Sequence, residues 1–196
     1  MVWALSALGV AEPVSAQQPV PIFGVSPGTT LVLPDPFDPP GTVYQLQTDF
    51  DWWSTNPSVT SPIQIVGTNV ILDLNGKTIR GFESDAHEHN LTGIRIAPGD
   101  FSLSASNVTV TNGLIRGFRR SGISVELAAD VTLANLTIAD IHNPTTHAPD
   151  FLLSLLNPTA GLKAEFSPNL SISQIVISNV FGGTNVMQVA GMEVLN

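Results

Sequence analysis

The stretch NVTVTNGLIRGFRRSGISVE, residues 107–126, decides the fold, because it contains three short motifs that return in the same order elsewhere in the chain. The motifs are Asn107-Val108-Thr109-Val110, Asn112-Gly113-Leu114-Ile115 and Gly122-Ile123-Ser124-Val125. In each of them a turn residue is followed by a short run with apolar residues. In the first and third, apolar residues alternate with variable ones, which is typical of a strand with one buried face.

The three motifs recur as a unit, which predicts a repeat architecture. The first motif has copies at 69–72, 130–133 and 169–172, the second at 75–79, 135–138 and 174–177, and the third at 93–96, 161–164 and 191–194. Coils stacked about 4.8 Å apart would place equivalent residues in columns, and stability would come from stacking between neighbours. The predicted core columns are Val70, Val108, Val131 and Leu170; Leu72, Val110, Leu133 and Ile172; Ile79, Ile115, Ile138 and Ile177; and Phe82, Phe118, Ile141 and Val180.

Asparagine marks the predicted bend between the first two strands of three repeats. Asn75, Asn112 and Asn135 fall there, and asparagine tolerates a left-handed backbone and can hydrogen-bond its copies in neighbouring coils. The first repeat carries one extra residue, which predicts a bulge between Leu74 and Lys77.

We therefore predict an all-β fold, a right-handed single-stranded parallel β-helix of about four to five coils with three short strands in each coil. A doubly wound α/β fold needs helices of about ten or more residues between its strands, and the sequence does not supply them. A β-sandwich would have hairpin-connected antiparallel strands and would not predict the columns.

The ends of the chain differ in composition from the repeats. Residues 1–16 are mostly small and apolar and end in Val14-Ser15-Ala16, which resembles the end of a secretory signal peptide truncated at its front. Residues 17–62 are rich in proline and predict an N-terminal cap or irregular first coil, with strands in 28–33 and 42–46. Residues 63–196 hold the repeats, which we expect to continue beyond 196.

The charge balance excludes several classes of partner. The net charge is −9 with only 7 lysines and arginines, so the basic surface that nucleic acids or anionic membranes require is missing. No stretch is long and apolar enough to span a bilayer. The chain has no cysteine, which excludes disulfides, cysteine-bound zinc and thiol nucleophiles.

The segment Val70-Ile71-Leu72-Asp73-Leu74-Asn75-Gly76-Lys77-Thr78-Ile79-Arg80-Gly81, with the Gly-Ile-x-Ile and Asn-Val-Thr-Val motifs, resembles the pectate-lyase-like superfamily of right-handed β-helix proteins. The closest likeness is to bacterial carbohydrate-binding and sugar-hydrolase β-helix repeats, and it covers roughly residues 41–196. The resemblance implies a secreted, periplasmic or cell-surface location and an extracellular polysaccharide as ligand. It does not assign a reaction, because members of one fold differ in chemistry.

Unequal loops after the second strand predict a cleft at one edge of the repeats. Long loops at 83–92 and 142–160 flank the short bend Arg119-Arg120-Ser121, and coils one and three lie about 10 Å apart. The two loops would form the walls of the cleft and the short bend its floor. All four histidines lie in the long loops, and we predict a substrate-binding role for the basic bend and these side chains: Arg119, Arg120, His87, His89, His142 and His147. Asp85 and Glu88 are the candidate ligands of a calcium ion.

The outward position of the third strand forms a polar column, Arg95, Ser124, Lys163 and Glu193. In the enzymes of the resemblance the polysaccharide lies along such a face, so Ser124 is a predicted substrate-binding residue and Arg95, Lys163 and Glu193 are the predicted catalytic residues. Elimination at a uronate would use a cation, often calcium, and an Arg or Lys base. Hydrolysis would need two carboxylates, and no partner for Glu193 is evident.

The favoured hypothesis is a secreted polysaccharide-interacting protein that acts as a lyase or glycoside hydrolase if it is an enzyme. The alternative is a non-enzymatic cell-surface or adhesin-type solenoid whose loops bind a partner. A separate interpretation of the charged column and loops is that they are only a solvated surface. A carboxylate pair or calcium cage beside the column would favour the enzyme.

Overall fold

The computed structural model describes residues 18–56, 58–81, 92–99, 105–142, 159–181 and 189–195. These segments form strands joined by turns, and no helix occurs among them. Nowhere in these ranges is there a helix of the length and apolarity needed to cross a membrane.

The strands form two sheets, which we name sheet A and sheet B. Sheet A holds β1 (Val20–Ile22), β3 (Val43–Leu46), β4 (Phe50–Trp52), β6 (Thr68–Asp73), β7 (Thr78–Gly81), β9 (Ser106–Arg116), β11 (Ala129–His142) and β13 (Ser171–Phe181). Sheet B holds β2 (Leu31–Leu33), β5 (Ile63–Ile65), β8 (Thr92–Ile96), β10 (Ser121–Glu126), β12 (Thr159–Glu165) and β14 (Val189–Leu195).

The chain visits the two sheets in turn. Each pass adds one or two strands to sheet A and then one to sheet B, and neighbours within a sheet come from successive passes. The strand pairs among the described residues are parallel. The prediction of an all-β parallel architecture is confirmed, and the antiparallel sandwich is excluded.

The register confirms the predicted core columns. Val131 pairs with Val108 and Leu133 with Val110, while Ile138 pairs with both Ile115 and Ile177. Residues of these columns are buried in β6, β7, β9 and β11. In β13, the last strand of sheet A, the same columns are less covered, and Ile172 is 37% exposed. Phe82, the first member of the fourth column, lies outside the described residues.

The first two motifs of a repeat form one strand rather than two, which differs from the three short strands that we predicted. In β9 pairing continues on both sides of Asn112, because Thr111 pairs with Ala134 and Gly113 with Leu136. Only the first repeat separates them, into β6 and β7. Four residues, 74–77, stand there opposite two, 112–113, so the insertion is of two residues and not of one.

Left-handed residues at the bends carry side-chain ladders, as predicted for asparagine. Asn75, Asn112 and Asn135 have φ angles of 51°, 60° and 53°. Asn135 Nδ2 donates to Asn112 Oδ1 at 3.2 Å, and Asn112 Nδ2 donates to Asp73 Oδ1 at 3.1 Å. The ladder therefore ends on Asp73, while Asn75 Nδ2 donates to the carbonyl oxygen of Leu46 at 3.2 Å.

The proline-rich region joins the same two sheets. The predicted strands are present as β2 and β3, and β1 and β4 add two further strands. Tyr44, nearly fully buried, donates its phenol proton to Asp38 Oδ2 at 2.8 Å and accepts from the amide N of Asp35 at 3.0 Å. Burial, together with the hydrogen bond to Asp38, raises the pKa of Tyr44 to about 12.

Candidate functional site

The predicted polar column exists, and it lies on sheet B. Ser124 pairs with Arg95 of β8 on one side and with Lys163 of β12 on the other. Parallel strands stack these residues about 4.8 Å apart. Ser124 and Lys163 are only 3% and 6% exposed. A solvated sheet face would leave a lysine in water, so this column is not merely a soluble surface.

Two glutamates lie beside the column, two residues further along their strands. Glu126 of β10 and Glu165 of β12 are register partners. Because side chains alternate, residues two apart on a strand share a face. Neither glutamate was among the predicted site residues. The signal that could have found them was present, because Glu126 follows Ser124 and Glu165 follows Lys163 at the same spacing.

Ion pairs tie the glutamates to the column. Arg95 Nη2 donates to Glu126 Oε2 at 2.8 Å, and Arg95 Nε reaches the same oxygen at 3.3 Å. Ser124 Oγ donates to Glu126 Oε1 at 2.8 Å, and Lys163 Nζ lies 2.9 Å from Glu165 Oε1. The carboxylate of Glu126 therefore links β8 to β10.

A cavity of about 320 Å³ opens over these groups. Its lining consists of Thr60, Thr92, Arg95, Arg120, Ser124, Glu126, Lys163 and Glu165. Arg120 comes from the bend that precedes β10, which is the short basic bend that we predicted as the floor of a cleft. The cavity thus gathers three basic and two acidic side chains from three adjacent strands and one bend.

The pKa values of Glu126 and Arg120 are both lowered, but for different reasons. Burial alone raises the pKa of Glu126, but hydrogen bonds from Arg95 and Ser124 and the charges of Arg95 and Lys163 outweigh it. The pKa of Glu126 is therefore lower than usual, and this carboxylate is ionised at neutral pH. Burial lowers the pKa of Arg120, and the charge of Glu126 opposes that shift.

Arg120 differs from the other two basic residues of the cavity. Arg95 and Lys163 each have a carboxylate partner, but among the described side chains Arg120 has no ion pair. A largely buried guanidinium is stabilised by a hydrogen-bonded anion, and its planar fork suits a carboxylate. The cavity is thus chemically suited to a ligand that carries a carboxylate.

Several predicted site residues do not reach this cavity or cannot be placed. Arg119, next to Arg120, is not among the lining residues of this cavity, and its predicted substrate-binding role stays a prediction. The backbone of Glu193 pairs with Lys163, and that of His142 ends β11, but their side chains are outside the described part. The predictions for Asp85, His87, Glu88, His89 and His147 also fall outside the described residues.

The predicted calcium site is therefore untested. Asp85 and Glu88 are not described, and no group of three or more acidic side chains that could hold a metal ion occurs among the described residues.

Comparisons with known proteins found no match among protein-family models, among curated proteins or among solved structures.

Proposed function

We propose that the chain is a secreted right-handed parallel β-helix that binds an acidic polysaccharide along sheet B and cleaves it at the charged cavity. The observation that carries this proposal is the cavity itself, in which Arg95, Arg120 and Lys163 lie beside Glu126 and Glu165. A chain that visits two in-register parallel sheets in turn supports the β-helix, and the sequence of residues 14–16 supports secretion.

The charge of the cavity favours a uronate-containing polymer over a neutral one. Its three basic groups exceed its two carboxylates by one positive charge, and Arg120 is the group without a carboxylate partner among the described residues. A uronate carboxylate would satisfy that excess. Hydroxyl groups of Thr60, Thr92 and Ser124 line the same space, where they could bind sugar hydroxyl groups.

The proposed reaction is an elimination. The proton on the carbon next to the uronate carboxylate passes to a base, a carbon–carbon double bond forms, and the glycosidic C–O bond at the next carbon breaks. The leaving oxygen takes up a proton from solvent water. Arg120 would neutralise the substrate carboxylate, with Arg95 beside it in the cavity, and that would make the proton more acidic. Lys163, whose Nζ lies 2.9 Å from Glu165 Oε1, is the candidate base and would act in its uncharged form.

Glycoside hydrolysis is less well supported by the same groups. It needs one carboxyl group that is protonated at working pH and a second that is ionised. The lowered pKa of Glu126 makes it unsuitable as the acid. Glu126 and Glu165 are register partners on adjacent strands, but each is bound to a cation in this structure.

Those ion pairs favour one second candidate, a protein that binds acidic polysaccharide without cleaving it. A cavity whose carboxylates are neutralised internally can still recognise a charged sugar through Arg120. The cell-surface or adhesin-type role belongs to this second candidate.

The test uses the purified chain with uronate polymers and with a neutral polysaccharide, with and without calcium. We expect binding to the uronate polymers and an increase in the ultraviolet absorbance of the unsaturated product. Arg120→Gln should weaken binding by about tenfold or more, since a charge-assisted hydrogen bond contributes about 1.5–3 kcal/mol. Arg80→Gln is the matched control, because Arg80 is ion-paired with Asp51 on sheet A and lies away from the cavity.

Binding without product would support the non-enzymatic candidate. Equal binding to neutral and acidic polymers, or equal effects of Arg120→Gln and Arg80→Gln, would contradict the proposed role of the cavity.

A further inference from the structure

Two bends of the chain hold residues that a left-handed backbone disfavours. Ten of the twelve described non-glycine residues with positive φ are Asn, Asp or Gln. The two others are Leu127 and Phe166, with φ angles of 50° and 48°. Bulky apolar residues are strained in this conformation, whereas asparagine and glycine adopt it at lower cost.

Leu127 and Phe166 occupy equivalent positions in successive passes. They directly follow Glu126 and Glu165, which are register partners. The amide N of Leu127 donates to the carbonyl oxygen of Glu165 at 2.9 Å, and Ser167 Oγ donates to the same oxygen at 2.9 Å. The first of these hydrogen bonds joins the two bends, and the second lies within the bend that holds Phe166.

Burial does not explain why these positions are apolar. Leu127 is 60% exposed and Phe166 is 65% exposed, so most of each side chain contacts solvent. The strain at both bends is therefore not offset by packing into the core. Strain that the fold does not require is a feature of functional positions.

Leu127 and Phe166 directly follow Glu126 and Glu165, both of which line the charged cavity, so the two bends begin at its edge. Each bend therefore presents an exposed apolar side chain next in sequence to a carboxylate of the cavity. A pyranose ring has the complementary character, with polar hydroxyl groups at its edge and C–H groups on its faces. Ligand sites commonly combine apolar and aromatic walls with a few polar groups in this way.

We propose that Leu127 and Phe166 form an apolar platform that takes the C–H face of a sugar ring adjacent to the ring bound in the cavity. This inference rests on the proposed function and adds a second subsite to it. The platform would set the direction of the polysaccharide, which runs from the cavity across the bends after β10 and β12.

The test compares Phe166→Asn and Leu127→Asn with the unchanged chain in binding to uronate oligosaccharides. Asparagine keeps the left-handed bend, so the fold should be retained and the thermal unfolding midpoint should not fall. We expect Phe166→Asn to weaken binding on the order of tenfold, and Phe166→Trp to preserve it. Phe23→Asn is the matched control, since Phe23 is 72% exposed and follows β1 of sheet A.

Salt separates the platform from the cavity. The loss caused by Phe166→Asn should be the same at low and high ionic strength, because the contact is apolar. The loss caused by Arg120→Gln should shrink at high salt, because charges are screened.

Each outcome bears on one proposal. Unchanged affinity in Phe166→Asn, with weakened affinity in Arg120→Gln, would overturn the platform and leave the proposed function standing. An unchanged chain that binds no uronate oligosaccharide would overturn both. A chain that is dimeric as purified and monomeric as Phe166→Asn would assign the two side chains to contact between copies, and would also overturn the platform.

Discussion

Gly122 is a position in sheet B where a single added methyl group should destabilise the fold. It lies in β10, two residues before Ser124 and four before Glu126. A Cβ added there would overlap Cγ2 of Ile138 and stand 3.0 Å from the carbonyl oxygen of Gly161. Ile138 is fully buried and branched at Cβ, so its rotamer is restricted, and the carbonyl oxygen belongs to the backbone of β12. Neither neighbour can move cheaply.

Gly122→Ala should therefore cost roughly 1–3 kcal/mol of folding free energy, the usual range for overpacking a filled core. With a urea dependence of about 2 kcal/mol per M, a loss of about 2 kcal/mol would lower the unfolding midpoint by about 1 M. The measurement is urea unfolding followed by circular dichroism.

Gly99→Ala is the control for this substitution. Its added Cβ would lie 3.4 Å from Cβ of Val66, an ordinary contact, and its backbone is not left-handed. We expect no loss and a gain of up to about 1 kcal/mol, because alanine has less conformational freedom than glycine in the unfolded chain. Equal midpoints for Gly122→Ala and the unchanged chain would refute the close packing of β10 against Ile138.

Two further predictions concern ionisation. Tyr44 is the only tyrosine of the chain, so the absorbance of tyrosinate should titrate with a midpoint at about 12 while the chain is folded. A midpoint near the usual pKa of about 10 would contradict the buried hydrogen bond from Tyr44 to Asp38. The pKa of Glu126 is lower in the folded chain, so its contribution to stability is present above the unfolded pKa of about 4.3 and is lost as pH falls through the folded pKa. The free energy of unfolding of Glu126→Gln should therefore depend less on pH in that range than that of the unchanged chain. Identical pH profiles would argue against the hydrogen bonds from Arg95 and Ser124.

The architecture could be predicted from the sequence because the same pattern of apolar residues and bend residues recurs in every repeat. Apolar residues alternate in each pass, and Asn112 and Asn135 mark bends that need a left-handed backbone. The number of strands per repeat was wrong for a related reason. A turn residue signals a change of backbone conformation, but hydrogen bonding to neighbouring passes continues through it, and no local pattern reveals that.

The candidate site was only half predictable. Arg95, Ser124 and Lys163 were found because they occupy one repeated position. Glu126 and Glu165 were missed because the third motif was taken to end at its last apolar residue, one position before each glutamate. Arg120 was assigned to the floor of the cleft from loop lengths, but its neighbour Arg119 could not be distinguished from it without the direction of each side chain.

Leu127 and Phe166 show what no sequence pattern indicates. As letters they are ordinary apolar residues at the end of a strand. Only the structure shows that both residues have a left-handed backbone, which is unusual for bulky apolar residues.

The charged cavity also has a consequence for how the protein is made. Its residues come from Thr60 to Glu165, and they meet only when four successive passes have stacked on one another. During synthesis the ribosome releases Arg95 and its partner Glu126 well before Lys163 and Glu165. The site is therefore assembled in order of translation, and the nascent chain carries an incomplete charge cluster until Glu165 has emerged.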